Sequence, residues 1–335
     1  VAYCLDSFNI GGTEINAVRT AESLDPERFD LSVFHLTASG PLRRRYEQLG
    51  VSITHIDIPN LYSPRTFRQG FLLTRLLRKM DVDIVHSHDI YCNIFAVPWT
   101  RMLTRCSIIA SRRLGVGVSP QHLELANRRS YRFAHRVLGN SEAVVDELDN
   151  IDRVPPRKTV NIPNFLEEIA FKRVSETERE RQRQAWGAFE GCLLVGIVAR
   201  LSPVKNHALL LHAIASMDAR VRLVVVGDGP SRADLETLAS ELGIASRVLF
   251  VGEVTERKNL HQYFDVSVLC SFSEGFHNSI VEAMAAARPV VTTPVGGVID
   301  AVSDGINGIY VSKNYTNELA SALKALQSEP ELRRK

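Results

Sequence analysis

The chain has 335 residues, of which 45% are hydrophobic and 23% charged, and its formal net charge is +2. This length predicts two domains of ordinary size, and so small a charge argues against nucleic acid as a partner. No apolar run approaches the ~20 residues that a membrane-spanning helix needs. Five scattered cysteines without a CxxC pair predict buried free thiols in a reducing cytoplasm rather than disulfides.

The first half of the chain alternates short apolar runs with longer amphipathic stretches. Strands are predicted at residues 2–7, 31–36, 52–56, 84–87, 107–111 and 136–140. Helices are predicted between them, for example at residues 13–24, 66–80, 93–103 and 120–133. Strands and helices that alternate in this way predict a parallel, doubly wound α/β sheet.

The second half repeats the alternation after a charged connection. Strands are predicted at 193–199, 222–226, 248–251, 266–270, 290–293 and 309–311, and helices at 208–217, 231–242, 279–287 and 317–326. A Pro-Asn turn at residues 163–164 and a mixed-charge segment at 167–184, interpreted as a solvated helix or linker, separate the two series. We therefore expect two Rossmann-like domains, residues 1–165 and 166–335, facing each other across a cleft.

Two carboxylates, Glu274 and Glu282, lie eight residues apart across a predicted strand-to-helix turn. Open α/β sheets bind ligands at such turns, where the N–H groups of the new helix favour a phosphate. Carboxylates also accept hydrogen bonds from hydroxyls, so the turn suits a nucleotide sugar. The alternative is a capping box, in which Glu282 only bonds back to the N–H of Ser279.

Two further turns are suited to phosphate. Gly11 and Gly12 follow the first strand and allow close backbone approach, although a tight turn capped by Thr13 explains them equally well. Arg200 ends a strand and Lys205 precedes a helix, so the two cations could neutralise a leaving diphosphate without a metal. The alternative is that both cations are simply solvated in a loop.

Two other polar motifs carry a weaker prediction. The turn Gly227-Asp228-Gly229-Pro230 is interpreted as mainly structural, because Asp228 would repel a phosphate. His86 and His88 share one face of the fourth strand, but no further ligands at metal-binding spacing accompany them. We expect no metal there, with one histidine lining the cleft and the other capping the next loop.

Two predicted helices carry many arginines. The first combines a set of basic residues with apolar ones, and the second carries four arginines between residues 128 and 136. A basic amphipathic helix is usually packed on one face and solvated on the other, but it can also rest on anionic lipid. Peripheral membrane contact therefore stays open. The basic residues of the first helix are Arg65, Arg68, Arg75, Arg78 and Lys79.

The segment from Glu274 to Glu282 resembles the EX7E signature of retaining GT-B glycosyltransferases, a large family of sugar-nucleotide enzymes. The resemblance extends over nearly the whole chain and keeps the order of the family's motifs. The matching segments are residues 11–14, 83–88, 162–164, 199–205, 227–230 and 294–297.

The resemblance implies a role for each motif. Glu282 would hold the ribose hydroxyls of a nucleotide sugar in the C-terminal domain, and Glu274 would hold its sugar. Arg200 and Lys205 would stabilise the leaving diphosphate. The implied donor-site residues also include Gly11 and Gly12 from the other domain, and Gly275, Phe276, His277, Asn278 and Ser279.

The resemblance also implies an activity. A sugar would pass to a glycan, lipid-linked or small-molecule acceptor in the N-terminal domain, with retention of configuration and without a metal or other cofactor. We expect a cytoplasmic enzyme, with the inner face of the membrane as one site of action. The open alternatives are a GT-B-fold epimerase or phosphorylase, or a nucleotide-sugar-binding protein without turnover.

Three features depart from the family pattern. No histidine follows the fifth strand, so Arg112 or Arg113 is expected to meet an anionic acceptor, with His88 also on that side. Ala287 replaces a frequent glycine, a change expected to be harmless at a helix end. The family's last helix, which crosses back to the N-terminal domain, is expected to be missing. The donor base, sugar, acceptor, linkage and oligomeric state are not predicted.

Overall fold

The computed structural model describes residues 1–37, 40–115, 118–254 and 259–333. Its contacts divide the chain into two compact units, Val1–Phe165 and Leu166–Lys335. In both units strands and helices alternate along the chain, as the sequence predicts.

The first unit forms, within its described residues, a parallel sheet of seven strands in the order β3-β2-β1-β4-β5-β6-β7. Its central strand β1 pairs with both β2 and β4, so the strand order reverses there. The strands are β1 (Ala2–Leu5), β2 (Ser32–His35), β3 (Ser52–His55), β4 (Ile84–Ser87), β5 (Ser107–Arg112), β6 (Arg136–Gly139) and β7 (Thr159–Asn161). The helices are α1 (Gly12–Ser23), α2 (Arg43–Gln48), α3 (Pro64–Lys79), α4 (Ile90–Leu103), α5 (Gln121–Ser130) and α6 (Glu142–Asn150).

Apolar side chains cover both faces of this sheet, which is typical of a parallel sheet between helices. Ala2 and Cys4 of β1 belong to a core with α3 and α4, whereas Tyr3 and Leu5 belong to a core with α1. The two-residue period of the strand thus divides β1 between two cores. Its carboxyl end consequently opens between helix layers, where ligands of such sheets bind.

The second unit forms, among the described residues, a parallel sheet of six strands in the order β10-β9-β8-β11-β12-β13. Its strands are β8 (Leu193–Val198), β9 (Val221–Val226), β10 (Val248–Gly252), β11 (Val266–Leu269), β12 (Val290–Thr292) and β13 (Ile309–Tyr310). Its helices are α7 (Glu176–Ala185), α8 (His207–Ala215), α9 (Arg232–Glu241), α10 (Asn278–Ala285), α11 (Val298–Ala301) and α12 (Thr316–Ser328). The two parallel sheets confirm the predicted α/β class.

Helix α7 lies in the mixed-charge segment, and the description of that segment as solvated is only half right. None of its residues is buried, yet one side of the helix is anchored. Arg183 pairs with both carboxylate oxygens of Asp265 at 3.0 and 2.9 Å, and Arg179 reaches the same group at 3.4 Å. A bidentate arginine–carboxylate pair fixes orientation as well as position. The segment is therefore part of the second unit.

Candidate functional site

The turn between β11 and α10 carries the two predicted carboxylates. Helix α10 begins at Asn278, and its N-cap is His277, which makes no side-chain cap hydrogen bond. Ser279 lies inside the helix, and its Oγ meets Nε2 of His261 at 3.1 Å. The capping-box alternative is therefore wrong, because Ser279 is not the capping residue. Glu282 lies in the second turn of α10 and is half-buried.

Glu274, Lys205 and His277 form a buried ionic cluster at the start of α10. Lys205 Nζ donates to Glu274 Oε1 at 2.5 Å and lies 3.3 Å from His277 Nε2. Burial alone would raise the pKa of Glu274, but His277 and Lys205 outweigh it and lower that pKa to about 2. The carboxylate therefore stays ionised at physiological pH. Burial lowers the pKa of His277 below its ordinary value, although the neighbouring Glu274 carboxylate acts in the opposite direction.

The loop that carries Lys205 is tied to the turn that carries Glu274. The N–H of Phe272 donates to the main-chain oxygen of Val204 at 2.8 Å. Asn206 adopts a left-handed conformation (φ 51°) just before α8, which asparagine tolerates better than most residues. The two predicted ligand segments, far apart in sequence, are thus brought together.

Arg200 lies at the other end of this loop. Arg200 is exposed, and its guanidinium makes no hydrogen bond or ion pair with any residue that the structure describes. Lys205 is in ionic contact with Glu274, whereas Arg200 keeps all its donors available. The two predicted phosphate-binding cations therefore differ in their present partners.

Two glycines of the turn at residues 227–230 hold the Arg200 loop in place. A Cβ at Gly227 would overlap the main-chain oxygen of Ala199, and a Cβ at Gly229 would overlap that of Leu201. Leu201 N–H also donates to the main-chain oxygen of Asp228 at 3.0 Å. This close backbone packing supports the interpretation of the turn as structural.

A third glycine supports the turn at Glu274. Gly296 has φ 51°, and a Cβ there would overlap the main-chain oxygen of Glu274. The next residue, Gly297, donates its N–H to the main-chain oxygen of Gly275 at 2.8 Å. Residues 294–297 therefore act on the site through backbone contact.

Two buried histidines of the second unit were missed by sequence reasoning. His207 opens α8, both its ring nitrogens lack a partner among the described residues, and burial lowers its pKa to about 4. His261 bridges Ser267 and Ser279 at 2.8 and 3.1 Å, and burial lowers its pKa to about 4 as well. Only His207, directly after the Lys205 motif, could have been found from its position.

Ala287 corrects the expectation of a harmless change. It follows α10 with φ 51°, in the left-handed region that glycine prefers. Its N–H donates to Met284 O at 2.9 Å, and that of Arg288 donates to Ala283 O at 3.0 Å, the paired bonds of a Schellman motif. An alanine in this position costs about 1–2 kcal/mol relative to glycine.

In the first unit, the glycine loop leads directly into α1. Gly11 is the extended N-cap residue, and no side chain caps the helix. Thr13 lies inside α1, so the alternative of a threonine cap is wrong. The first-turn N–H groups of α1 are thus not occupied by a capping side chain, as an anion site at a helix start requires.

His86 and His88 lie at the carboxyl end of β4, with ring centroids 3.9 Å apart, as their shared face predicts. His86 Nε2 lies 2.8 Å from Ser111 Oγ, whereas both ring nitrogens of His88 lack a partner among the described residues. Burial, aided by Arg113, lowers the pKa of His86 to about 3 and that of His88 well below its usual range. Both rings are therefore neutral.

The loop after β4 is capped by an aspartate. Asp89 Oδ1 accepts from the N–H of Cys92 at 2.8 Å at the start of α4, and Asp89 Oδ2 accepts from the N–H of Asp6 at 2.7 Å. The expectation of a capping histidine is wrong, since the adjacent aspartate is the stronger capping residue.

Arg112 is buried in an ion-pair network. Its guanidinium lies 2.7 Å from Asp152, 3.4 Å from Glu124 and 3.6 Å from Glu147, and only 4% of its side chain is exposed. Three carboxylates compensate this charge within the unit. The expected contact of Arg112 with an acceptor is thus replaced by a structural role.

Arg113 lies in a different environment, beside Asn164. Its NH1 donates to Asn164 Oδ1 at 3.1 Å, an atom that also accepts from Asn16 Nδ2 at 2.8 Å. Burial lowers the pKa of Arg113 to about 10, and its Nε lacks a partner among the described residues. Arg113 is still charged at neutral pH and lies near the histidine pair.

None of the helices described is long and apolar enough to cross a membrane. In the same part of the chain, no group of three or more His, Cys, Asp or Glu side chains could hold a metal ion.

Two family profiles match consecutive parts of the chain. Residues 10–168 match Glycosyltransferase Family 4, and residues 178–335 match Glycosyl transferases group 1. Together they span nearly the whole sequence, one profile for each half.

Curated relatives match as well. A D-inositol 3-phosphate glycosyltransferase of Mycobacterium marinum is 30% identical over 73% of this chain and 55% of its own length. The putative glycosyltransferase EpsD of Bacillus subtilis is 33% identical over 49% of this chain and 44% of its own length. The chain thus spans about half the length of these two relatives. A Campylobacter jejuni alpha-1,4-N-acetyl-D-galactosaminyltransferase is 26% identical over 100% of this chain and 90% of its own length.

Solved structures share the fold. Anabaena HepE in complex with UDP and glucose has a TM-score of 0.86 at 22% identity, over 99% of this chain and 91% of its own. The Thermosynechococcus elongatus sucrose-phosphate synthase has a TM-score of 0.82 at 19% identity, with the same coverage. These likenesses show the GT-B fold class with two Rossmann-like domains. With both halves matched by glycosyltransferase profiles, the chain belongs to the group 1, family 4-like glycosyltransferases.

Proposed function

We propose that the protein transfers a sugar from a nucleotide-diphosphate sugar to a hydroxyl of a glycan or lipid-linked acceptor, with retention of configuration and without a metal. Membership of the family supports the reaction class. HepE was solved with UDP and with UDP-glucose, and the Campylobacter jejuni relative is named for a glycan on PP-undecaprenol. These facts support the donor and acceptor classes.

The ionic cluster at the start of α10 is the observation that carries this proposal. A leaving nucleoside diphosphate gains negative charge as the bond between the anomeric carbon and the phosphate oxygen breaks. Lys205 keeps N–H donors beyond the one engaged by Glu274, and Arg200 keeps all of its donors. Preorganised cations stabilise that charge without reorganising during the reaction.

The carboxylates then have separate roles. Glu274 is ionised and buried, so it orients Lys205 and accepts hydrogen bonds from sugar hydroxyls. Glu282, in the second turn of the same helix, accepts from the ribose hydroxyls. The backbone N–H groups of residues 275–278 lie at the start of α10, where an anion is favoured.

We assign the acceptor to the first unit. Its neutral histidine pair includes His88, whose ring nitrogens, like Nε of Arg113, have no partner among the described residues and can bond to a ligand. Buried polar atoms are nearly always satisfied in native structures, so such a cluster indicates a ligand or ordered water. Gly11 and Gly12 stay predicted contacts of the donor.

A membrane surface is the proposed setting for a lipid-linked acceptor. Helix α3 leaves Phe67 62% exposed and Phe71 59% exposed, although both rings touch Trp99. Arg68 and Arg75 lie exposed on the same helix. Exposed aromatic rings beside cations match an interfacial helix on anionic lipid. Substituting Phe67→Ser and Phe71→Ser should abolish cosedimentation with anionic vesicles, and unchanged cosedimentation would remove this part of the proposal.

A nucleotide panel tests the reaction directly. UDP, GDP or ADP at saturating concentration should raise the melting temperature, because a ligand that binds only the folded state stabilises it by mass action. The matching nucleotide sugar should then release free nucleoside diphosphate, and EDTA should not reduce the rate. Binding without release, with acceptors present, would indicate a binding protein. Absorbance from bound pyridoxal phosphate would indicate a phosphorylase.

A further inference from the structure

A basic pocket lies in the first unit, at the amino-terminal ends of strands of its sheet. Its volume is about 380 Å³, and its basic residues are Arg101, Arg132, His135, Arg136, Arg157 and Lys158. His135 directly precedes β6, Lys158 directly precedes β7, and Arg101 lies near the end of α4. The predicted acceptor residues lie at the opposite ends of the strands, about 13 Å away for a strand of four residues.

The charge of this pocket is not compensated. Among the described residues that line it, none is a carboxylate. The guanidinium groups of Arg101, Arg132 and Arg157 make no hydrogen bond or ion pair with the residues that the structure describes. Arg112 of the same unit, by contrast, is buried among three carboxylates. The three guanidinium groups around the cavity thus keep their N–H donors available for a ligand.

The remaining groups hold the pocket in shape. Lys158 Nζ donates to the main-chain oxygens of Arg132 and Ala134 at 3.1 and 2.8 Å, beyond the end of α5. His135 Nδ1 accepts from the N–H of Ile108 at 2.9 Å, which in the neutral ring leaves Nε2 as a donor. Lys158 and His135 thus have structural partners, whereas the guanidinium groups of the three arginines have none among the described residues.

The pKa values of His135 and Lys158 also reflect the positive charge of the pocket. Desolvation, followed by Arg101 and Lys158, lowers the pKa of His135 below its ordinary value. Desolvation, followed by Arg157 and Arg101, also lowers the pKa of Lys158. Cations that disfavour one another's charge attract an anion to the same place.

We propose that this pocket is a second anion site, which binds a phosphate or diphosphate group. Guanidinium groups match phosphate oxygens with paired N–H donors, and several of them around one cavity favour a multiply charged anion over a chloride. The cavity falls within the size range of small-ligand sites. Either a soluble phosphorylated compound or a phospholipid headgroup supplies this chemistry.

Titration with inorganic pyrophosphate tests the site on the full chain. We expect binding by the parent protein and a loss of about tenfold or more in affinity for the triple variant Arg101→Ala, Arg132→Ala, Arg157→Ala. The control removes three other exposed arginines, Arg28→Ala, Arg44→Ala and Arg181→Ala, and so the same charge. It should stay within about twofold of the parent, since loss of net charge alone acts weakly at physiological salt.

Vesicle binding separates the two sources. Vesicles with and without phosphatidic acid are sedimented with the parent and both triple variants. Pocket-dependent binding of pyrophosphate alone identifies a soluble ligand, and pocket-dependent binding of phosphatidic acid identifies a headgroup. Absence of both, or equal losses in the pocket and control variants, overturns the proposal. Arg132→Gln alone, with an unchanged melting temperature, should still weaken binding severalfold, so misfolding of the triple variant cannot hide the answer.

Discussion

The two units place different chemistry at the carboxyl ends of their sheets. In the second unit, a carboxylate and an ammonium group, Glu274 and Lys205, neutralise each other at 2.5 Å. In the first unit, the corresponding edge carries two adjacent neutral histidines, and the ring nitrogens of His88 have no hydrogen-bond partner among the described residues. An ionic cluster suits a diphosphate whose charge changes during reaction, whereas neutral donors and acceptors suit a hydroxyl.

Removing the cations of the second unit should have the largest effect on the reaction. Arg200→Ala and Lys205→Ala should each lower kcat by about 10²- to 10³-fold, because each removes a group that stabilises the leaving charge. Release of nucleoside diphosphate measures the rate. The exposed Lys324→Ala on α12 is the control and should leave the rate unchanged. If both variants stayed within a few-fold of the parent, the proposed roles would be wrong.

A glycine substitution tests whether backbone contact positions Glu274. Gly296→Ala should abolish nucleotide binding and lower the melting temperature, since its Cβ would overlap the main-chain oxygen of Glu274. Gly305→Ala is the matched control: its φ is also positive, at 72°, but nothing lies within 4 Å of the added atom. The Gly305→Ala variant should lose only about 1 kcal/mol of unfolding free energy, because of backbone strain, and should still bind the nucleotide. Equal effects of the two substitutions would contradict a steric role for Gly296.

Two histidine substitutions compare a ring whose nitrogens are hydrogen-bonded, His261, with one whose nitrogens have no partner among the described residues, His88. His261→Phe should lower the free energy of unfolding by about 2 kcal/mol or more, because it leaves the Ser267 and Ser279 hydroxyls unpaired. His88→Phe removes nitrogens that have no partner among the described residues, so stability should rise or stay level. Urea unfolding measures both. A large loss of stability in His88→Phe would show that ordered water or another group satisfies this ring.

The smallest effect is expected at the end of α10. Ala287→Gly should raise the free energy of unfolding by about 1 kcal/mol, by relieving the left-handed alanine of the Schellman motif. Ala285→Gly, inside the same helix, should lower it by about 1 kcal/mol. A shift of the same sign in both variants would mean that glycine acts at this end of the helix through something other than φ.

The alternation of strands and helices could be predicted because both sheets are buried on two faces and their strands are continuous apolar runs. Helix α6 was not given bounds from the sequence, although Ser141 Oγ accepts from the N–H of Val144 as an N-cap. Pairing at the site was not predictable: Lys205 and Glu274 lie 69 residues apart, and no local pattern reports such a contact.

The surroundings of Arg112 and Arg113 could not be predicted from the sequence either. Arg112 and Arg113 look alike in sequence, yet one is enclosed by carboxylates and the other faces the asparagine pair. Successive side chains of a strand point to opposite faces, so two adjacent residues at the end of β5 must have different surroundings. The sequence alone does not tell which surroundings are acidic, because Asp152 and Glu124 come from other elements.

The burial of all five cysteines has a practical consequence for comparing the two units. Cys4, Cys92 and Cys106 lie in the first unit and Cys192 and Cys270 in the second, all as buried free thiols. Burial raises the pKa of Cys4 and of Cys270 to about 12, so neither forms the reactive thiolate while the surrounding unit is folded. A thiol reagent can then modify them only after a local opening, and its rate at each cysteine reports the opening free energy there. Each unit thus carries its own chemical reporter of stability, which can be followed with and without nucleotide.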